Sequence, residues 1–260
     1  MDKNQKYWEK RQEKLIRELY NKQEKKTLKI LREYKNTQKE LEEIIVKLYM
    51  KYEEGGQLSY TEMSKYNRLT TLYNEIDKAI KELGSNESKA IRNDLIENYY
   101  SAAERVGETL EKGNIGVKAV EVNKKAVEKA IMYPWSGSDY KSRVWENKEY
   151  LAKKVKETIT RGMIEGSSIS NMTKALKEEM GKGAYECRRL VRTETSHILN
   201  SATYDRYKEN NVTKVQFWAA EDERTCEECG AEHEKIYNIE DAPMLPLHPN
   251  CRCTLIPVIE

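Results

Sequence analysis

No stretch of the 260 residues approaches the roughly 18 consecutive apolar residues that would suggest a membrane span. The polar, charged opening from Met1 to Lys10 does not read as a secretory leader. Internal repeats and low-complexity segments are missing as well, and so are the common catalytic signatures. There is no phosphate-binding loop and no dinucleotide fingerprint. His233-Glu234 begins an H-E-x-x-H match, but Tyr237 stands where the second histidine belongs. A zinc deaminase would carry H-x-E and then P-C-x-x-C; here Thr225 precedes Cys226, and His197 is followed by Ile198 and Leu199.

What is present is charge. Charged residues make up 35% of the chain against 38% hydrophobic, which predicts much exposed helix spread over one or two domains. The formal net charge of +2 hides an asymmetry. Residues 1–39 hold 13 Lys/Arg against 6 Asp/Glu, and residues 220–241 hold 9 Asp/Glu against 2 Lys/Arg. A basic arm can touch nucleic acid, but a mixed Lys/Glu helix is more often a solvated face.

Four of the five cysteines lie in two knots, Thr225-Cys-Glu-Glu-Cys-Gly230 and His248-Pro-Asn-Cys-Arg-Cys253. Thiolates in a tight turn, facing a second His/Cys knot about twenty residues on, have the spacing of a tetrahedral zinc site. Zn²⁺ suits sulfur and imidazole together. The candidates Cys226, Cys229, His248, Cys251 and Cys253 number five for four positions; Cys251 and Cys253, two apart, can share a strand face with one supporting rather than ligating, and which four close the site stays open, with His248 and Cys253 about equal as the fourth. Disulfides or a coincidental cluster are the alternatives. An odd cysteine count without an export signal favours reduced thiols, and so metal over disulfide. Cys187, apart from the knots, reads as a buried small apolar residue.

The fold reads as mainly α, a long N-terminal helical hairpin plus a helical bundle, with a small zinc-pinned β-element at the C-terminus. Residues 5–54 predict one helix with a stripe of Leu31, Tyr34, Leu41, Ile45, Leu48 and Tyr52. Its upstream stripe of Trp8, Leu15 and Leu19 is out of phase with this, which predicts a seam shift between Leu19 and Leu31. After Gly55-Gly56, Ser59 and Glu62 match a capping box for a helix that stops at Gly84. Further helices are expected over 87–112, 117–132, 140–161, 170–180 and 184–210, with Gly181 and Gly183 as breaks. Short strands are expected within 212–219, 235–239 and 253–259. A ribbon that small is marginal alone, so a structural metal would stabilise it directly. Domain limits fall at 1–84, 85–132 and 133–260, with the knot region over about 212–260.

Two constellations remain. Cys187 and His197 lie nearly three turns apart on one predicted helix, about 15 Å, too far to cooperate. Glu194 and His197 share a helical face one turn apart. They read as structural, with His197 bonding to the knot and Arg192 bridging to the acidic 221–228 segment, although a catalytic role stays open.

Assembled, Trp135-Ser-Gly with Arg143 and Trp145, Gly162-Met-Ile-Glu-Gly166, Arg192-Thr-Glu-Thr195, Cys226-Glu-Glu-Cys229 and His248-Pro-Asn-Cys-Arg-Cys253 make the second half resemble the Mu F-like phage head morphogenesis family, also called minor head or minor capsid proteins. The resemblance covers about 133–258. The charged N-terminal half is similar to the variable leaders of minor head proteins from phages of Gram-positive bacteria. It implies a non-enzymatic, low-copy virion protein, made in the host bacterial cytoplasm and placed inside the capsid near the portal vertex. Its partners would be the portal protein, with scaffold or major capsid protein and non-specific contact with packaged DNA, and its role head morphogenesis or DNA delivery. Some relatives carry toxin domains after this region; with Glu260 seven residues past Cys253, none is expected here. A zinc-stabilised nucleic-acid-binding protein is one alternative, and a metal-dependent hydrolase using Glu194 and His197 another.

Overall fold

The computed structural model describes residues 3–116, 121–220 and 225–259, with only the backbone of Lys3. Helix α1 (Lys3–Tyr52) buries Trp8, Gln12, Leu15, Leu19, Gln23, Thr27, Ile30, Tyr34, Thr37, Leu41, Ile45 and Tyr49. That is an unbroken series at spacings of three and four, one helical stripe. The expected seam shift is therefore absent. Polar Gln23 and Thr27 hold seam positions, and Leu31 lies beside the seam. Gln23 is tolerated there because it donates to Asp94 (3.0 Å) and accepts from Asn98 (2.8 Å).

Helix α2 (Tyr60–Ser64) starts after Ser59, whose backbone is extended but whose hydroxyl makes no capping bond. Glu62 pairs instead with Lys65 and Arg68, so the capping box is not formed. Helix α3 (Arg68–Lys112) runs straight through Gly84, the expected stop. Helix α4 (Lys124–Met132) begins at Asn123, whose side chain accepts from the Lys125 N–H at 2.9 Å. Its expected start at Val117 lies outside the described residues. Helix α5 (Tyr140–Ile164) matches its prediction closely. Helix α6 (Ile169–Glu209) is continuous where two helices were expected.

The glycines explain both missing breaks. A Cβ on Gly84 would sit 2.8 Å from Lys148 Cγ and 3.1 Å from Trp145 Cζ3. One on Gly183 would meet Leu151 Cδ2 at 2.8 Å and Tyr34 Cε1 at 3.2 Å. Both are close-approach positions inside helices rather than stop signals.

Two compact units emerge, interleaved in sequence: 1–26 with 91–140 and 189–260, and 27–90 with 141–188. The second contains helices joined by short turns, with one isolated bridge between Glu54 and Gln57. At its centre Lys148 Nζ lies 2.7 Å from Glu87 Oε2, both side chains almost fully buried, and Tyr34 donates its hydroxyl to the same carboxylate at 2.7 Å. Cys187 is fully buried beside this cluster, and burial pushes its thiol far up.

The first unit holds the sheet. β1 (Lys214–Trp218), β2 (Ile236–Asn238) and β3 (Thr254–Val258) pair antiparallel in the order β2-β1-β3. Val215 faces Tyr237 on one side and Pro257 on the other. Val215, Gln216 and Phe217 are all buried, so β1 is covered on both faces. Part of that cover comes from α1, where Gln5 donates to Gln216 Oε1 at 2.6 Å. Part comes from α6, where Tyr207 donates to the Leu255 carbonyl at 3.3 Å. The strand positions agree with the sequence reading. Burying Phe217, Leu255 and Ile256 contributes about 1.5–3 kcal/mol each before entropy is charged against it.

Candidate metal centre

Cys226 is the N-cap of a short helix, α7 (Glu227–Glu232), and its sulfur accepts the Cys229 N–H at 3.4 Å. That turn puts both thiols of the first knot on one side. His248 enters from the second knot with Nε2 at 3.2 Å from each of the two sulfurs. Its Nδ1 lies 2.9 Å from the Pro249 carbonyl, which can only accept. The proton therefore sits on Nδ1, and Nε2 presents its lone pair to the thiols. The second knot then turns at Asn250, with φ of +63°, and the Cys251 N–H returns to the His248 carbonyl at 3.1 Å. Cys251 Sγ reaches Cys229 Sγ at 3.8 Å.

All five sequence candidates meet. Cys226, Cys229 and His248 form one group with donor atoms within 4.8 Å of one another, and Cys229, Cys251 and Cys253 form a second. Cys229 belongs to both. All the cysteines are free thiols, and a sulfur–sulfur distance of 3.8 Å is far beyond a disulfide bond of about 2.05 Å. Tetrahedral zinc with bonds of about 2.0–2.3 Å needs donors about 3.5–3.8 Å apart. The 3.2–3.8 Å contacts here come close to that, so the cluster can hold a metal ion.

The thiols are not equivalent. The Cys229 N–H holds Cys226 below the ordinary thiol range. The Cys253 thiol donates to Cys251, which lowers Cys251 to about 5 and raises Cys253 far above its usual value. Burial pushes Cys229 up to about 12. For His248 burial pulls down, but the Pro249 carbonyl and the neighbouring sulfurs outweigh it and the net shift is upward.

Helix α6 anchors the second knot. Thr193 Oγ1 accepts the Asn250 N–H at 3.0 Å, Asn200 donates to the Cys253 carbonyl at 3.0 Å, and His197 Nδ1 lies 3.3 Å from the Leu245 carbonyl. Every residue from Thr193 to Asn200 is buried, a polar string lying in the interior. The sequence reading missed this, and the string's polarity is why. Glu194 accepts from Trp135 Nε1 at 3.2 Å, and the His197 ring stacks on Trp135 with centroids 4.9 Å apart. Arg192 pairs with Glu24 on α1; residues 221–224 of its expected acidic partner lie outside the described residues. His233 stays apart from the donor set, accepting the Ala219 N–H at 3.2 Å and packing on Trp218.

Residues 153–256 match the Phage Mu protein F like family, a span that includes α6 and all five donors. The NAD(+)--arginine ADP-ribosyltransferase EFV of Enterococcus faecalis (strain ATCC 700802 / V583) is 21% identical over 232 residues. That alignment covers 80% of this chain and 47% of the transferase, so the chain spans about half the length of that relative. No solved structure matches. No described helix is long and apolar enough to cross a membrane. Over residues 153–256, less than half of the chain, the match to the Phage Mu protein F like family supports a phage head protein.

Proposed function

We propose that the protein is a non-enzymatic minor head protein that sits at the portal inside the capsid and acts in head morphogenesis or DNA delivery. The observation that carries this is the Mu F-like match across α6 and both knots. Two features of the site support it. Glu194 and His197, the residues a hydrolase would need, are engaged with Trp135 and the Leu245 carbonyl as parts of the core. The two three-donor groups share Cys229, and a site closed by four of these ligands would leave no position for substrate.

In this reading Cys226, Cys229, His248 and Cys251 hold a structural zinc, and Cys253 donates its thiol to Cys251. Bound zinc would supply a cross-link between the two knots and thereby fix the sheet on α6. Contact with packaged DNA would be electrostatic and weakened by salt. Part of the basic arm is already committed, since Lys22 and Lys26 pair with Glu97 and Asp94. The test is co-sedimentation of the purified protein with purified portal rings. Saturable binding is expected. Absence of binding, together with a hydrolytic activity abolished by Glu194→Gln, would replace this reading with the enzyme.

A further inference from the structure

In the second unit an open groove of about 960 Å³ runs between α3 and α5. Its α5 side recurs every third or fourth residue from Trp145 to Glu165, one residue past the helix end, a stretch of about 30 Å. Ile80, Trp145, Ala152 and Ile164 make the apolar part of the lining, and Ile164 is 66% exposed. A trough of that length between two helices has the shape that receives a third.

The charges along the groove decide which helix. Glu149, Lys153, Glu157, Arg161 and Glu165 follow one another every four residues in its lining, and the sign alternates at each step. The middle of this row is engaged within the chain, because Glu157 bonds Lys154 at 2.8 Å and lies 3.9 Å from Lys153. Exposed pairs of that kind contribute little and are the usual state of a solvated face. Glu149 and Arg161 differ. Both are exposed, and neither has an ion-pair partner among the described residues. They stand about 18 Å apart along the helix, on either side of position 155, the middle of the lined stretch.

A uniform polyanion or polycation would be repelled at every second position of this row. A second copy of α5, lying antiparallel, presents the same row backwards. With a two-fold axis at position 155, Glu149 meets Arg161 of the second copy and Arg161 meets its Glu149, while Lys153 and Glu157 face each other in the same reciprocal way. The same register brings Tyr150, 64% exposed, to Thr160 in the groove of the second copy. Moving the axis to position 157 sets Glu149 against Glu165, Lys153 against Arg161 and Glu157 against its own copy, so that every contact joins like charges. We propose that α5 packs into the groove of a second copy of this chain, forming a two-fold dimer in which α3, α5 and their copies make a four-helix interface. This dimer depends neither on the head-protein reading nor on a metal.

Sedimentation equilibrium of the full chain tests this. The expected result is a monomer–dimer equilibrium with a Kd of about 1–100 μM at low salt, weakened by added salt. Glu149→Lys and Arg161→Glu each turn both end contacts of the dimer into like-charge contacts, and each should weaken it about tenfold. Both positions are exposed, so the helical circular dichroism should not change. Combining the two reversals restores opposite charges and should return the dimer to within about threefold of the unaltered chain. That recovery requires the two residues to meet across copies, since within one helix they lie too far apart to touch. A chain still monomeric at about 1 mM, a dimer indifferent to both single reversals, or a double variant as weak as the singles overturns the proposal. A groove that serves a different protein gives the first of these results.

Discussion

In the helical unit Lys148 and Tyr34 meet Glu87 in the interior and both pair with its Oε2, while Oε1 has no partner among the described residues. In the sheet-bearing unit four thiols and an imidazole meet in two groups that share Cys229. The ammonium of Lys148 lies 2.7 Å from the Glu87 carboxylate, so opposite charges cancel without outside help. The knots have donors of one kind only. Cys226 and Cys251 are drawn toward thiolate, Cys229 is held protonated by burial, and His248 presents a lone pair to the same space. Within each group of three donors the atoms lie within 4.8 Å of one another, so a shared cation would offset the crowding of lone pairs and partial anions. One unit pairs its central charges through its own side chains, and the donors of the other could be bridged by a metal ion.

If the knots hold a metal ion, its removal should have the largest effect. Protein purified without added zinc should carry close to one metal per chain, and chelation should unfold the β-element while the helical unit keeps its circular dichroism. Structural zinc contributes on the order of 10 kcal/mol, more than a sheet of this size can replace. Cys226→Ser and Cys251→Ser should lose the metal, whereas Cys253→Ser should retain it with lower affinity. A well-folded chain with negligible metal content would end the zinc reading.

The self-sufficient cluster breaks differently. Lys148→Met alone strands a buried carboxylate and should cost about 3–5 kcal/mol in urea unfolding. Adding Glu87→Gln should recover most of it, because the stranded charge goes too. If the single variant cost under about 1 kcal/mol, the pair would not be the buried ion pair described.

These two regions were not equally legible in the sequence. The knots declare themselves through spacing, because residues close in the chain are brought together by short turns, and the five candidates lie in two groups that share Cys229 and could hold a metal ion. The strands are legible too, because β-favouring residues cluster there. The buried ion pair is invisible. Lys148 and Glu87 lie 61 positions apart and look like ordinary surface residues of charged helices. Gln23 and Thr27 misled the reading of α1 for the same reason: a polar residue in a seam is a tertiary fact, and for Gln23 it is satisfied by Asp94 and Asn98. The string from Thr193 to His197 hides a core helix behind a polar composition.

His197 sharpens the contrast through pH. Burial lowers its pKa to about 4 from 6.5, so the folded protein keeps it neutral where the unfolded chain takes up a proton. Its contribution is full above pH 6.5, falls as pH drops toward 4, and is then lost, a change of about 3 kcal/mol. The slope of stability between those values should flatten in His197→Phe, which keeps a ring against Trp135. An unchanged slope would assign the acid sensitivity to other groups.

The smallest test concerns the glycines, and it turns on sign. Gly84 and Gly181 are both helical, and alanine in a helix gains about 1 kcal/mol over glycine. Among the described residues, no atom beyond its chain neighbours and the backbone of its own helix lies within 4 Å of a Cβ added at Gly181, so Gly181→Ala should stabilise by about that amount. At Gly84 the new methyl would press on Lys148 Cγ at 2.8 Å and on the Trp145 ring at 3.1 Å. Overpacking of that kind costs about 1–3 kcal/mol, which exceeds the propensity gain, and Gly84→Ala should destabilise. The opposition is local to the ion pair. In a Lys148→Ala background, where Cγ is gone, adding Gly84→Ala should cost less, and the difference between the two backgrounds measures how tightly Gly84 fits the buried lysine. Equal effects in both would mean that the Trp145 ring, rather than the lysine stem, is what the glycine accommodates.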